Sequence, residues 1–391
     1  MSNPINLRSS IALPHDFIFG EVSPKPNLVV ATPPPSLGPL AAFVGNWSGS
    51  GFNTIFRPDN TKTPTPLPIP VNGSDNILEL NLTSESLSFS PSLGSVPNRG
   101  SGLVQGDSFL NGVPYLQTIN DVTHPAQPVG IHVEPGLWMI VPGTAVPALG
   151  PTLVRMGSIP HGTTIQAQGT STSINGAPTI PSVSITPFAT GGPVLPGIRF
   201  PSQTVATQGT ARLPQDLTPF ITAGTITQAI LDDPNTVLRN HIIGQKITAT
   251  TVISIATMPA APLFGGGVDN IAFLLGDKNT PPSKPNAQTL QMTATFWIET
   301  VEHKILVPIF RPGQPPLNIK GIAKVPGQPV PVFSVKPPIA ITAPREITFT
   351  STQIQYSQTV MLNFNTLTWP HVSVATLVPS DPIEVPHSVW G

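Results

Sequence analysis

The chain contains no cysteine. That removes disulfide frameworks, thiolate metal centres, iron–sulfur clusters and cysteine nucleophiles together. Charge is nearly as scarce: Asp, Glu, Lys and Arg make up 9% of the 391 residues, against ~25% in an ordinary globular protein. The 18 Lys and Arg balance 19 Asp and Glu, for a formal net charge of −1, so no electrostatic footprint for nucleic acid is present. No apolar run approaches 18 residues, and no membrane-spanning segment is expected. A positively charged start followed by an apolar core is also missing from Met1 to Gly20, which makes the cytoplasm the default compartment.

Helix signals are few. With 51 prolines in the chain, most twelve-residue windows hold one, and a proline inside a helix costs ~3 kcal/mol. Only Asp216 to Leu238 leaves room for a helix or two, around Gln228–Leu231 and Pro234–Arg239. Disorder is not expected either, because 39% of residues are apolar and the mean hydropathy is +0.14, enough to build a core.

Strand signals are everywhere. Ile77 to Phe89 carries apolar residues at Leu78, Leu80 and Leu82, then again at Leu87 and Phe89. Leu290, Met292, Ala294, Phe296 and Ile298 share one face of a second run, with Gln291, Thr293, Thr295 and Trp297 on the other. This period of two marks half-buried strands. Ile247–Met258, Ile305–Phe310 and Ile354–Phe364 read likewise. The predicted class is all-β, a barrel or a sandwich. Proline-rich stretches at Met1–Pro35, Pro58–Asn72 and Pro312–Pro344 are predicted as an arm and two loops. A proline-punctuated arm suits draping over a second copy, and a homodimer is expected.

Gly45 to Ile55 reads GNWSGSGFNTI. A Gly-x-Trp opening a first strand is a lipocalin-like device, the tryptophan plugging the closed end of a barrel. The longer pattern, Gly45-x-Trp47-x-Gly49-x-Gly51-x-x-Thr54-Ile55, resembles the nitrobindin family of heme-binding β-barrels. Three later blocks follow in that family's order. They are GIHVEPGLW at Gly130–Trp138, TLVRMGSIPHGTTIQAQG at Thr152–Gly169, and YSQTVMLNFNTLTWPHVSVATL at Tyr356–Leu377. The resemblance implies an antiparallel closed β-barrel, here elaborated by long insertions and proline-rich loops. A barrel of that family needs about half this length, and the extra chain lies mainly between Gly169 and Ile347. The implied layout is an arm over 1–37, one barrel domain over 38–380 with an insertion near 170–345, and a tail over 381–391.

The resemblance also implies a cofactor, heme b. Its axial ligand corresponds to His371, at the Pro-His start of the closing strand. Met361 corresponds to a methionine over the heme pocket, and reads equally as an ordinary core residue. His132 falls in the family's pocket, either as an acid/base group above the iron or as the partner of Glu134 that pins a strand end. Thr54 reads as a polar pocket group or an ordinary strand residue, and Arg155 as a partner for a heme propionate or part of a solvated face. His241, inside the insertion, becomes a second candidate acid/base if that segment covers the heme. His161 and Gly162 fit a tight turn. His15, His124, His303 and His387 show no metal-ligand spacing. The expected function is a heme-dependent oxygenase or peroxidase acting with dioxygen or peroxide on a small apolar or aromatic substrate. The alternatives are nitrobindin-type nitric oxide binding or peroxynitrite isomerisation, and a non-catalytic carrier of an apolar ligand.

Overall fold

A computed structural model describes residues 34–100, 104–263, 265–276 and 286–390. Met1–Pro33, most of the expected arm, and His15 lie outside the described residues. Ten antiparallel strands close into one barrel. They are β1 (Gly45–Pro58), β2 (Asn76–Phe89), β3 (Ser108–Asp121), β4 (Val129–Val141), β5 (Thr152–Ile159), β6 (Thr163–Asn175), β7 (Lys246–Ala256), β8 (Gln288–Val307), β9 (Arg345–Phe364) and β10 (Leu367–Pro379). Each pairs with the next in sequence, and β10 returns to β1 from Trp47↔Pro379 to Thr54↔Val372. Closure of this kind leaves no unpaired edge. Among the described residues no helix is long and apolar enough to cross a membrane.

Two of the strands expected within the insertion, β7 and β8, are part of the wall: β7 bonds β6 on one side and β8 on the other. The material added to the barrel therefore falls into two pieces. Residues 176–245 form a lobe against the outside of the wall, with short helices α1 (Thr218–Ala223), α2 (Gln228–Asp232) and α3 (Thr236–His241). Residues 308–344 form a layer below it, where Leu317–Lys320 and Val332–Val335 pair and Ile383–Glu384 adds in parallel. No strand occupies the prolines between Pro58 and Asn72.

One end of the barrel is shut. Trp47 Nε1 donates to the Phe43 carbonyl at 2.7 Å, and Phe43 meets Phe89, Trp138 and Phe296 in a cluster of aromatic rings. Rings of this size bury 150–250 Å² each and dominate the energetics of such a plug. Gly49 and Gly51 fit a close approach of β1 to β10, since a Cβ would lie about 2 Å from the carbonyls of Thr376 and Val374.

The register also explains why the apolar residues of β2 switch phase. No bulge interrupts the β1–β2 pairing, so Leu87 and Phe89 point inward and Leu78 and Leu80 point outward. The outward leucines are nonetheless buried, because the lobe covers the upper wall. Inside that upper half the same strand presents Asn81, Thr83 and Glu85. The inner face of β2 is thus apolar at the closed end of the barrel and polar above it.

The lobe is built around Arg212, fully buried. Its guanidinium donates to the carbonyls of Ser202, Thr204, Thr207, Pro214 and Gln215 at 2.9–3.3 Å. Five acceptors satisfy a buried cation that has no carboxylate beside it among the described residues. The lobe grips the wall where Gln355 Nε2 donates to the Leu238 carbonyl at 3.0 Å and His241 Nδ1 meets Thr376 Oγ1 at 2.9 Å. A second apolar cluster lies below, where β8 and β9 run past the barrel floor and pack Ile305, Val307, Ile347 and Phe349 against Phe310, Phe333 and Trp390.

Candidate functional site

His371 sits near the start of β10. Antiparallel partners share a face, so the pairing Val360↔His371 and the neighbouring pair Gln358↔Ser373 put His371 on the inner face with Ser373, Ala375 and Leu377. Its Nδ1 lies 2.9 Å from the Thr54 carbonyl. A carbonyl only accepts, so Nδ1 carries the hydrogen. Burial pushes the imidazole down to about 4, outweighing that hydrogen bond, and the neighbouring His132 and His161 push the same way. The ring is neutral at physiological pH, and Nε2 keeps its lone pair.

Beneath this mouth lies a buried ionic layer. Glu134 on β4 and Arg155 on the adjacent β5 pair side by side on the inner face of the wall, with Nη2 at 2.8 Å from Oε1. Arg155 also donates from Nε to the Tyr115 hydroxyl at 3.0 Å and from Nη1 to Gln358 Oε1 at 2.6 Å. Tyr115 donates its own proton to Glu134. Burial alone would raise the Glu134 carboxyl, but the guanidinium overrides it and holds the carboxyl well below its usual range. The other oxygen of Glu134 lies 3.3 Å from His132 Nε2. Two glycines make room for this layer. A Cβ on Gly136 would strike the Tyr115 ring at 2.4 Å, and one on Gly157 would strike the Glu134 carboxylate at 2.4 Å. The two are direct partners across β4 and β5.

A second carboxyl stands at the same depth. Glu85 accepts from Tyr356 at 2.6 Å, Thr83 at 3.0 Å and Gln117 at 3.4 Å. Among the described residues no cation touches it, and burial lifts it to about 7. Of these two buried acids only Glu134 has the guanidinium beside it, with opposite consequences for their protons.

The structure brings together only some of the residues singled out by sequence. His132 and His371 lie on inner strand faces at the mouth of the barrel, here termed the chamber, and His161, read only as a turn residue, joins them: its ring centroid lies 6.1 Å from that of His132. Four expectations are corrected. Met361 lies on the opposite face of β9 from Val360, and so points away from the chamber. Thr54 points its side chain outward into the lobe contact, where Oγ1 has no hydrogen-bond partner; only its carbonyl serves the chamber. Arg155 is neither at a solvated face nor free for a propionate, because its donors are taken inside the barrel. His241 bonds the outward-facing Thr376, and the wall stands between it and His371.

Glu85, Tyr115, Tyr356 and Gln117 were not anticipated. A usable signal existed for Glu85, a charge in a charge-poor chain on the same strand face as Leu87 and Phe89. Two concavities lie elsewhere: an open groove of about 580 Å³ outside β4–β6, and a cavity of about 240 Å³ below the barrel beside His303 and Ser351.

No family model matches the chain, and no curated protein matches it. The crystal structure of Rv2717c from M. tuberculosis aligns over 88% of this chain and 96% of that one, with 9% sequence identity and a TM-score of 0.31. At that score the likeness carries no argument, and the barrel rests on its own hydrogen bonds.

Proposed function

We propose that this chain is a heme-binding β-barrel in which His371 ligates the iron, and that it works as a heme-dependent oxidoreductase on a small apolar or aromatic substrate. The observation that carries the reading is the hydrogen bond from His371 Nδ1 to the Thr54 carbonyl. It fixes the tautomer and leaves Nε2 unprotonated on the inner face, so that His371 would hold a heme iron with its second nitrogen already engaged. The ordered blocks similar to nitrobindins support it. So does the donor set: one neutral imidazole, apolar Ile55, Val360 and Leu362 on the same inner face, and a second imidazole, His132, backed by a carboxylate.

Heme bound there would supply iron chemistry towards dioxygen or peroxide. What the chain itself contributes is positioning and protons. Thr54 holds the ring of His371 through its backbone, a contact that no substitution at position 54 other than proline-type backbone disruption removes. His132 keeps Nε2–H towards Glu134, because a carboxylate only accepts; Nδ1 is then the atom able to take or give a proton. Arg155 keeps Glu134 ionised, so the carboxylate stays available to His132.

Absorption spectroscopy tests the proposal. Hemin added to the purified chain should give a Soret band of a histidine-ligated heme, and His371→Ala should lose it. A wild-type chain that takes up no heme, or a variant whose band matches wild type, would refute the assignment.

A further inference from the structure

The chamber contains two imidazoles beyond the one assigned to iron, and their exposures differ in a directed way. Glu134 is fully buried, the His132 side chain is 16% exposed, and His161 is exposed on the turn between β5 and β6. His132 touches Glu134 at 3.3 Å and lies against His161 at 6.1 Å between centroids. The turn that carries His161 is itself braced. Gly162 has φ +107°, a left-handed value suited to glycine, and a Cβ there would lie 2.9 Å from Ile271. The Ile271 amide donates to the Gly162 carbonyl at 3.0 Å. His161 is thus set at the rim by backbone contacts.

We infer that His132 and His161 form a proton port between the barrel chamber and solvent, with Glu134 as the positioning residue that fixes His132. The inference deepens the oxidoreductase reading and rests on it for its purpose. A chamber that consumes or releases protons beside a buried cofactor needs such an exit. The groups facing His132 are Glu134 from its own strand, His161 from the turn, Glu85 from β2 and His371 from β10. Of these imidazoles and acids only His161 is exposed. The remaining cation of the layer, Arg155, is committed to Glu134 and holds no exchangeable role.

Proton exchange at His132 is the direct readout and needs no turnover. In the full chain labelled with ¹⁵N-histidine and free of heme, the rate at which the His132 ring exchanges protons with water, one taken up at Nδ1 for one released from Nε2, is measured by NMR. His161→Phe should slow that exchange by about a hundredfold, the lower end of what one positioned acid/base partner contributes. An unchanged rate would overturn the port. His161→Gln serves as a second variant with less change in polarity, and its exposed position tolerates either. Glu134→Gln should alter the His132 ring resonances and speed exchange; resonances identical to wild type would remove Glu134 from the scheme. Neither His161 variant should affect the Soret band. Loss of the heme reading would show instead as a wild-type chain without a band, so the two failures are distinguishable.

Discussion

Replacing Glu299 with Gln should leave the protein about as stable as wild type in acid and much more stable in mild alkali. Glu299 lies on the outward face of β8, fully buried under the lobe contact. Its Oε2 accepts from Gln353 Nε2 at 2.7 Å, while Oε1 has no partner among the described residues. Burial raises the carboxyl from 4.5 to about 8, against that hydrogen bond. The folded chain therefore holds a proton that the unfolded chain releases near pH 4.5. The stabilisation is fully present below 4.5 and is lost as pH rises through about 8. At 1.36 kcal/mol per unit the loss is roughly 5 kcal/mol, a large part of the 5–15 kcal/mol typical of a folded protein. Glutamine has no proton to lose. Urea denaturation at pH 4.5, 6, 7.5 and 9 should give matching stabilities at the acid end and a gap of roughly 5 kcal/mol at pH 9. Glu85 and the depressed histidines titrate alike in both proteins, so the difference isolates Glu299. A gap that does not grow with pH would refute the reasoning.

Other outcomes follow from the same contacts. Arg155→Met leaves the Glu134 charge buried without a partner and should cost about 3–5 kcal/mol; adding Glu134→Gln should recover much of that, as a double-mutant cycle in urea would reveal. Arg212→Met strips a donor from five carbonyls and should loosen the lobe first. Hydrogen exchange would then rise across residues 176–245 while the amides of β3 to β6 stay protected.

Much of the fold was legible in the sequence, because alternation in strands such as Leu290–Ile298 reflects a physical period. The orientation of each face was harder to read. Where both sides of a strand are buried, as along Ile354–Val360, alternation no longer says which side is inward. Thr54 is hard to place for that reason, the lobe making the outside of the wall resemble an interior, whereas Met361 follows from the resemblance alone and lies on the outer face. His371 and His132, taken from blocks similar to the nitrobindins, both fall on inner strand faces. The pairing of Glu134 with Arg155 could not, since it depends on the register of β4 against β5 and on two glycines whose role appears only once a ring lies over them. His241 was misjudged because sequence order does not tell on which side of a wall an insertion lands.

The two longest strands, Gln288–Val307 and Arg345–Phe364, belong to the barrel at one end and to the lower layer at the other. They act as shared girders through two storeys. A cut in the loops of the lower layer cannot set it free, since its apolar floor is made of the same continuous backbone that walls the chamber. Heat or denaturant should then bring down both storeys in one step, and a truncation ending before Arg345 would remove the wall as well as the floor.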